Sequence, residues 1–183
     1  MRNRTRTILG VVLVLGLLPT CGVDTTAATS RGAVTAPLEP LAFLLGTWGA
    51  SGSGQPGAAA GTATFAGSLQ DRVIIRTSFA EYPATKTTPA SRHDDLMIIY
   101  ATDGAGIRAD YYDNEGHVIR YAVTVAGTGE ATFLSDIGNG EPRYRLTYKL
   151  APDGILRGTF AVAPPGTSEA FQQYLAWESR KTR

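Results

Sequence analysis

The order of apolar and polar positions changes character twice along the chain. Ile8 to Leu18 is an unbroken apolar run, preceded by Arg2, Arg4 and Arg6 and ended by Pro19. From Gly22 to about Pro40 the residues are mostly Thr, Ala, Ser, Gly and Pro, with no aromatic side chain and no apolar period. Beyond that, short stretches alternate apolar and polar residues with period two, which turns one face of a β-strand toward a core and the other toward water. The alternation predicts strands near 46–54, 61–69, 72–81, 93–101, 106–113, 117–126, 130–136, 142–150, 155–162 and 171–179. Between them, Asp103-Gly104-Ala105-Gly106, Asn114-Glu115-Gly116, Asn139-Gly140 and Asp153-Gly154 supply the positive φ angles that tight hairpins require. Strands adjacent in sequence are therefore expected to pair antiparallel. A meander of this length leaves two exposed edges unless its first strand pairs with its last. The pattern thus predicts an all-β fold, an antiparallel up-and-down barrel of about ten strands. One segment departs from the period: Pro37 to Leu45 reads as a short N-terminal helix whose apolar side plugs one barrel end.

The alternation also assigns faces. In the sixth strand Ile119, Tyr121, Val123 and Val125 share the inward face, opposite Val118, Arg120, Ala122 and Thr124, and His117 falls on the inward parity. In the eighth, Tyr144, Leu146, Tyr148 and Leu150 alternate with Arg143, Arg145, Thr147 and Lys149. Leu96-Met97-Ile98-Ile99-Tyr100 is apolar on both faces and is expected to be covered on both. Eight strands already enclose space for a small ligand, so ten predict an interior cavity.

Composition sharpens this picture. At 183 residues, 43% apolar and 18% charged, the chain can build one domain with a full core. Every aromatic residue lies between Phe43 and Trp177, which places the barrel domain at 41–183. Residues 1–20 have the layout of a signal peptide and residues 21–40 that of a flexible tether. The apolar run is shorter than the roughly 18–20 residues of a spanning helix. Three of the 17 basic residues lie in the leader, so the rest carries 14 against 16 acidic groups, a net charge of −2. No basic surface for nucleic acid is expected. The single cysteine, Cys21, cannot form an internal disulfide, so packing must hold the exported fold.

Leu18-Pro19-Thr20-Cys21-Gly22 resembles a bacterial lipobox. The resemblance implies lipidation of Cys21 and a membrane anchor. Cleavage near Thr26-Ala27-Ala28 is the alternative, which leaves a periplasmic or extracellular protein. Phe43-Leu44-Leu45-Gly46-Thr47-Trp48, opening a small β-meander, resembles the first strand of calycin-type barrels, in particular nitrobindin-like and fatty-acid-binding-protein-like domains. Tyr111-Tyr112-Asp113-Asn114-Glu115-Gly116-His117-Val118 and Pro142-Arg143-Tyr144-Arg145-Leu146-Thr147-Tyr148 are similar to an uncharacterised, exported bacterial branch of that group. Calycins carry lipids, pigments or haem, so the resemblance implies fold more sharply than activity. Nitrobindin-like proteins bind haem through a histidine on a strand near the C-terminus. Phe171 to Trp177 contains none, so that ligand is not carried over.

Among residues able to do chemistry, Arg76 stands amid Val73, Ile74, Ile75 and Phe79 and is the best candidate for an interior cation. Lipid-binding calycins often hold a carboxylate with interior arginine and tyrosine through bidentate, charge-assisted hydrogen bonds, which suggests Arg76 with Tyr111 and Tyr121 as ligand-binding residues. Tyr112, Tyr144, Tyr148 and Tyr174 are further wall candidates. His117, at a hairpin exit, can act as an axial ligand or a proton carrier, or be a rim histidine satisfied by hydrogen bonds. His93-Asp94-Asp95 with Asp110, Asp113 and Glu115 can gather imidazole and carboxylates at one rim, though no spacing is diagnostic of a metal. No Gly-x-Ser-x-Gly elbow occurs and the cysteine is in the leader, so nucleophilic catalysis has no motif. The leading expectation is an exported, lipid-anchored barrel with a small apolar ligand inside. A haem or metal barrel using His117 or His93, and an envelope module binding a protein partner, are the alternatives.

Overall fold

A computed structural model describes residues 35–54, 58–104, 106–167 and 169–182. The residues read as a signal peptide, Cys21 and the expected tether up to residue 34 lie outside the described residues. The chain forms one 3₁₀ helix, Ala36–Leu44, and ten strands: β1 (Gly46–Gly54), β2 (Ala59–Ser68), β3 (Val73–Tyr82), β4 (Ser91–Thr102), β5 (Gly106–Asp113), β6 (Val118–Ala126), β7 (Glu130–Ser135), β8 (Arg143–Leu150), β9 (Leu156–Ala163) and β10 (Gln172–Lys181). Each strand pairs antiparallel with the next, and β1 closes on β10 from Trp48 opposite Lys181 to Gly54 opposite Leu175. The fold is the closed up-and-down barrel that the period-two pattern predicts. Gly104, Gly116, Gly140 and Gly154 all take positive φ in the connections where glycine marks a turn.

The helix begins at Ala36, inside the stretch read from composition as tether up to Pro40. Leu38, Leu41 and Leu44 recur every third residue, which stacks them on one side of a three-residue turn. All three are 0% exposed, and the helix packs against β4 and β5 at one barrel end. Trp48 fixes its C-terminus by donating its indole N–H to the Leu44 carbonyl at 2.7 Å. At this end the connection after β2 holds Leu69, Gln70 and Asp71 in succession at φ 52°, 57° and 62°, with no glycine to announce it. The Asp71 carbonyl accepts the Thr35 N–H at 3.0 Å and ties the start of the helix to that turn.

Burial divides the inward-facing residues. Near the helix and at mid-height, Phe65, Ile74, Met97, Ile99, Tyr121, Phe133 and Tyr148 are completely enclosed. Toward the opposite end the same faces continue with Ala63, Gly61 and Ala59 on β2, Ser78, Ala80 and Tyr82 on β3, Tyr111, Ile119 and Tyr144, and all of these are only half-buried. One end of the barrel is therefore lidded and packed, while water reaches the inner wall at the other. The connections 83–90 and 136–142 frame this open mouth, and the shorter turns 69–72 and 127–129 lie at the lidded end.

The outward set of β4 differs from the two-sided cover expected of it. Met97 and Ile99 are buried inside, whereas Leu96, Ile98 and Tyr100 stay half-buried on the outer wall, sheltered only by cross-strand neighbours such as Val73, Ile75 and Tyr112. Tyr112 is accordingly an outer-wall residue, as its parity opposite Leu96 requires, and does not line the interior.

Tyr148 is the hub of the packed half. Its ring meets Phe65, Phe133 and Trp177 edge-on at centroid distances of 5.5, 6.0 and 5.9 Å, and Phe133 meets Tyr121 at 6.2 Å. Such pairs add about 0.5–1.5 kcal/mol beyond burial. Gly158 makes room for Trp177: a Cβ at 158 would stand 2.0 Å from the indole Cε2. Gly158→Ala is therefore expected to displace the indole and cost about 1–3 kcal/mol, read as a lower urea midpoint with altered Trp emission. An unchanged midpoint and spectrum would show that the ring does not depend on the gap.

Candidate functional site

Period two carries β3 from Ile74 through Arg76 to Ser78 on its inward face, and register sets Met97 opposite Arg76 and Asp95 opposite Ser78. A guanidinium is thus delivered to the boundary between the packed and open halves, where Arg76 is 8% exposed. A buried cation persists only with a partner. Asp95 provides it: Nη1 and Oδ1 stand 2.9 Å apart, and Nη2 reaches Asp95 Oδ2 at 3.4 Å and Ser78 Oγ at 2.9 Å. Ser78 in turn donates its hydroxyl to Asp95 Oδ2 at 2.7 Å. The Nη1–Oδ1 contact is a charge contact without hydrogen-bond alignment, so Oδ1 keeps an acceptor position unfilled. Among the described residues, Arg76 Nε and the Tyr148 hydroxyl are likewise buried without a hydrogen-bond partner.

Three tyrosines face this pair. Tyr148, Tyr111 and Tyr121, with Asp95, lie close enough to Arg76 to act on its charge. Burial opposes a charged guanidinium, and these neighbours outweigh it, so Arg76 is held above its ordinary value and stays protonated. Burial pushes the Tyr148 phenol up to about 12, and it raises Tyr111 and Tyr121 further. All three hydroxyls are neutral at any physiological pH and so keep their protons as hydrogen-bond donors.

From the boundary a second polar chain climbs to the mouth. His93 Nε2 and the Tyr111 hydroxyl are 2.9 Å apart, His93 Nδ1 lies 3.0 Å from Glu115 Oε1, and Tyr111 donates to Asp113 Oδ2 at 3.3 Å. Asp113 also accepts the backbone N–H groups of Glu115 and His117 on Oδ1, at 3.0 and 2.9 Å, while His117 Nδ1 stands 2.8 Å from its Oδ2. The carboxylate thereby closes the β5–β6 turn. Burial alone would raise the Asp113 carboxyl, but its hydrogen bonds to His117 and Glu115 overcome this and hold it below 3.8.

Arg76, Tyr111 and Tyr121 are therefore together on the inner wall. His117 is not with them: β6 begins at Val118, so the residue before it leaves the wall at the rim, with its side chain 59% exposed and engaged by Asp113. Of the expected acidic rim, His93, Asp113 and Glu115 do converge. Asp94 instead points outward to Arg92, and Asp110 accepts from the outer-wall Tyr100 hydroxyl. Among the described residues no three His, Cys, Asp or Glu side chains are placed to hold a metal ion. Arg143, outward by parity, is nonetheless only 14% exposed, because it donates to the Ser135 carbonyl and pairs with Glu169. Asp95 and Tyr148 are the residues whose importance the sequence understates. Asp95 shares the parity of Met97 and Ile99, which is the signal that a carboxylate faces inward.

No family model matches the chain, and no curated protein does. Among solved structures, "Structure of EF1p2_mFAP2b bound to DFHBI" is similar over 78% of this chain and 97% of that chain, at 10% identity and a TM-score of 0.32. That likeness is too distant to transfer a residue or a ligand.

Two outcomes test the site's electrostatics. Asp95→Asn strands a buried guanidinium and is expected to lower stability by about 3–5 kcal/mol in chemical denaturation, whereas Arg76→Met with Asp95→Leu recovers most of that. Because the Asp113 carboxyl is depressed in the folded state, its contribution is complete above its ordinary value of 3.8 and disappears as pH falls through the lower folded value. Melting temperature is expected to fall more steeply from about pH 4 to about pH 2 in the wild type than in Asp113→Asn. Equal slopes would remove Asp113 from the acid response.

Proposed function

We propose that this chain is an exported, lipid-anchored binding protein of calycin type that takes a small, largely apolar ligand into the open half of its barrel. The observation that carries the reading is the burial gradient. Ala59, Gly61, Ala63, Ser78 and Ala80 leave a small-residue inner wall half-buried, above a floor where Arg76 and Tyr148 keep donors unpartnered. A site with an apolar wall and a few convergent polar groups is the usual build of a small-molecule pocket. Beside it at the rim, an open groove of about 660 Å³ is bordered by Ala59, Tyr82, Pro83, Ser91 and Arg92. Arg76, Tyr111 and Tyr121 are assigned to the ligand's polar end, and His117 to the rim. Export and the Cys21 anchor rest on the leader sequence.

Nile red, an uncharged apolar dye, is expected to bind with a blue-shifted emission. Ala63→Trp, which fills the open half from β2, is expected to weaken binding at least tenfold without lowering the melting temperature. Exclusion of the dye by the wild type would defeat the reading. For the anchor, Cys21→Ser is expected to move the protein from the membrane to the soluble fraction; a wild type already soluble would count against it.

A further inference from the structure

The reading above leaves the chemical kind of the ligand's polar end open, and the boundary layer narrows it by charge and by unfilled hydrogen-bond positions. Arg76 is the buried cation of the open half, and its charge is already cancelled by Asp95 at 2.9 Å. Its Nη2 is committed to Ser78 and Asp95. A carboxylate arriving there would set two negative charges against one guanidinium in a place screened from water, an arrangement that disfavours the charged form. What remains unfilled among the described residues is different in kind: a donor on Arg76 Nε, the Tyr148 hydroxyl, and an acceptor position on Asp95 Oδ1 beside its charge contact with Nη1, all buried. The layer immediately above is built from the small side chains Ala63 and Ser78, paired across β2 and β3. Leaving buried polar atoms unmatched costs about 1–3 kcal/mol each, so a group that both accepts and donates gains where a purely apolar end does not.

We propose, resting on the open-barrel reading, that the ligand ends in an uncharged group that accepts from Arg76 Nε and Tyr148 and donates to Asp95, an amide or a hydroxyl, and that the site discriminates against carboxylates. This inverts the use of an interior arginine as a carboxylate clamp: here the carboxylate is built into the protein.

The test compares octanamide, octanol and octanoate at pH 7.5, with Trp177 emission as the reporter, since its ring lies 5.9 Å from that of Tyr148. The amide or the alcohol is expected to bind at least tenfold tighter than the acid. In Asp95→Asn the order is expected to reverse, because Arg76 then lacks its negative partner. Should that variant not fold, Tyr148→Phe is expected to weaken the amide about fivefold and leave the acid unchanged. Octanoate binding the wild type as tightly as octanamide overturns the proposal. Nile red binding while none of the eight-carbon probes does so also overturns it but leaves the open-barrel reading standing; exclusion of Nile red defeats both.

Discussion

A sheet of ten strands closed on itself encloses more width than its own inward side chains readily fill. Everything inside this protein follows from how that excess is handled. At one end a helix with Leu38, Leu41 and Leu44 on a single side supplies extra apolar volume, and the rings around Tyr148 complete the packing. At the other end glycine, alanine and serine on β2 and β3 face Tyr111, Ile119 and Tyr144 across the interior, and all of these inner-wall residues stay half-buried. The barrel is thus two environments stacked along one axis.

Arg76 and Asp95 stand where those environments meet. Placed deeper, the pair would be desolvated without recompense; placed at the rim, it would be screened and contribute little. At the boundary, the Ser78 hydroxyl, in contact with both partners, maintains it. The tyrosines suit the same position, since each gives a ring to the packed side and a hydroxyl to the polar side. From there the chain through Tyr111, His93, Asp113 and His117 continues to the mouth, so the polar groups form a connected path rather than scattered sites.

Much of the architecture is legible in the sequence because a strand's period is short and its turns carry chemical marks. Ile119, Tyr121 and Val123 declare an inward face without outside help, and glycine after aspartate or asparagine marks the hairpins. Arg76 is readable as interior because its flanks are apolar. What escapes is context across strands. Asp95, read along the chain, belongs with His93 and Asp94 at a rim; only the β3–β4 register sets it against Ser78, within reach of Arg76. His117 has inward parity, but parity has no force one residue before the strand starts. The short helix, expected at Pro37–Leu45 and found at Ala36–Leu44, is legible because three leucines at threefold spacing outweigh two prolines. The left-handed turn at Leu69 to Asp71 has no glycine to reveal it.

The pairing of β1 with β10 brings the two ends of the described fold side by side. Thr182 donates its backbone N–H to the Thr47 carbonyl at 2.8 Å, and Thr35 is fastened to the turn at Asp71, all at the lidded end. Both ends of the described fold, Thr35 and Thr182, thus lie at the lidded end, and neither obstructs the mouth.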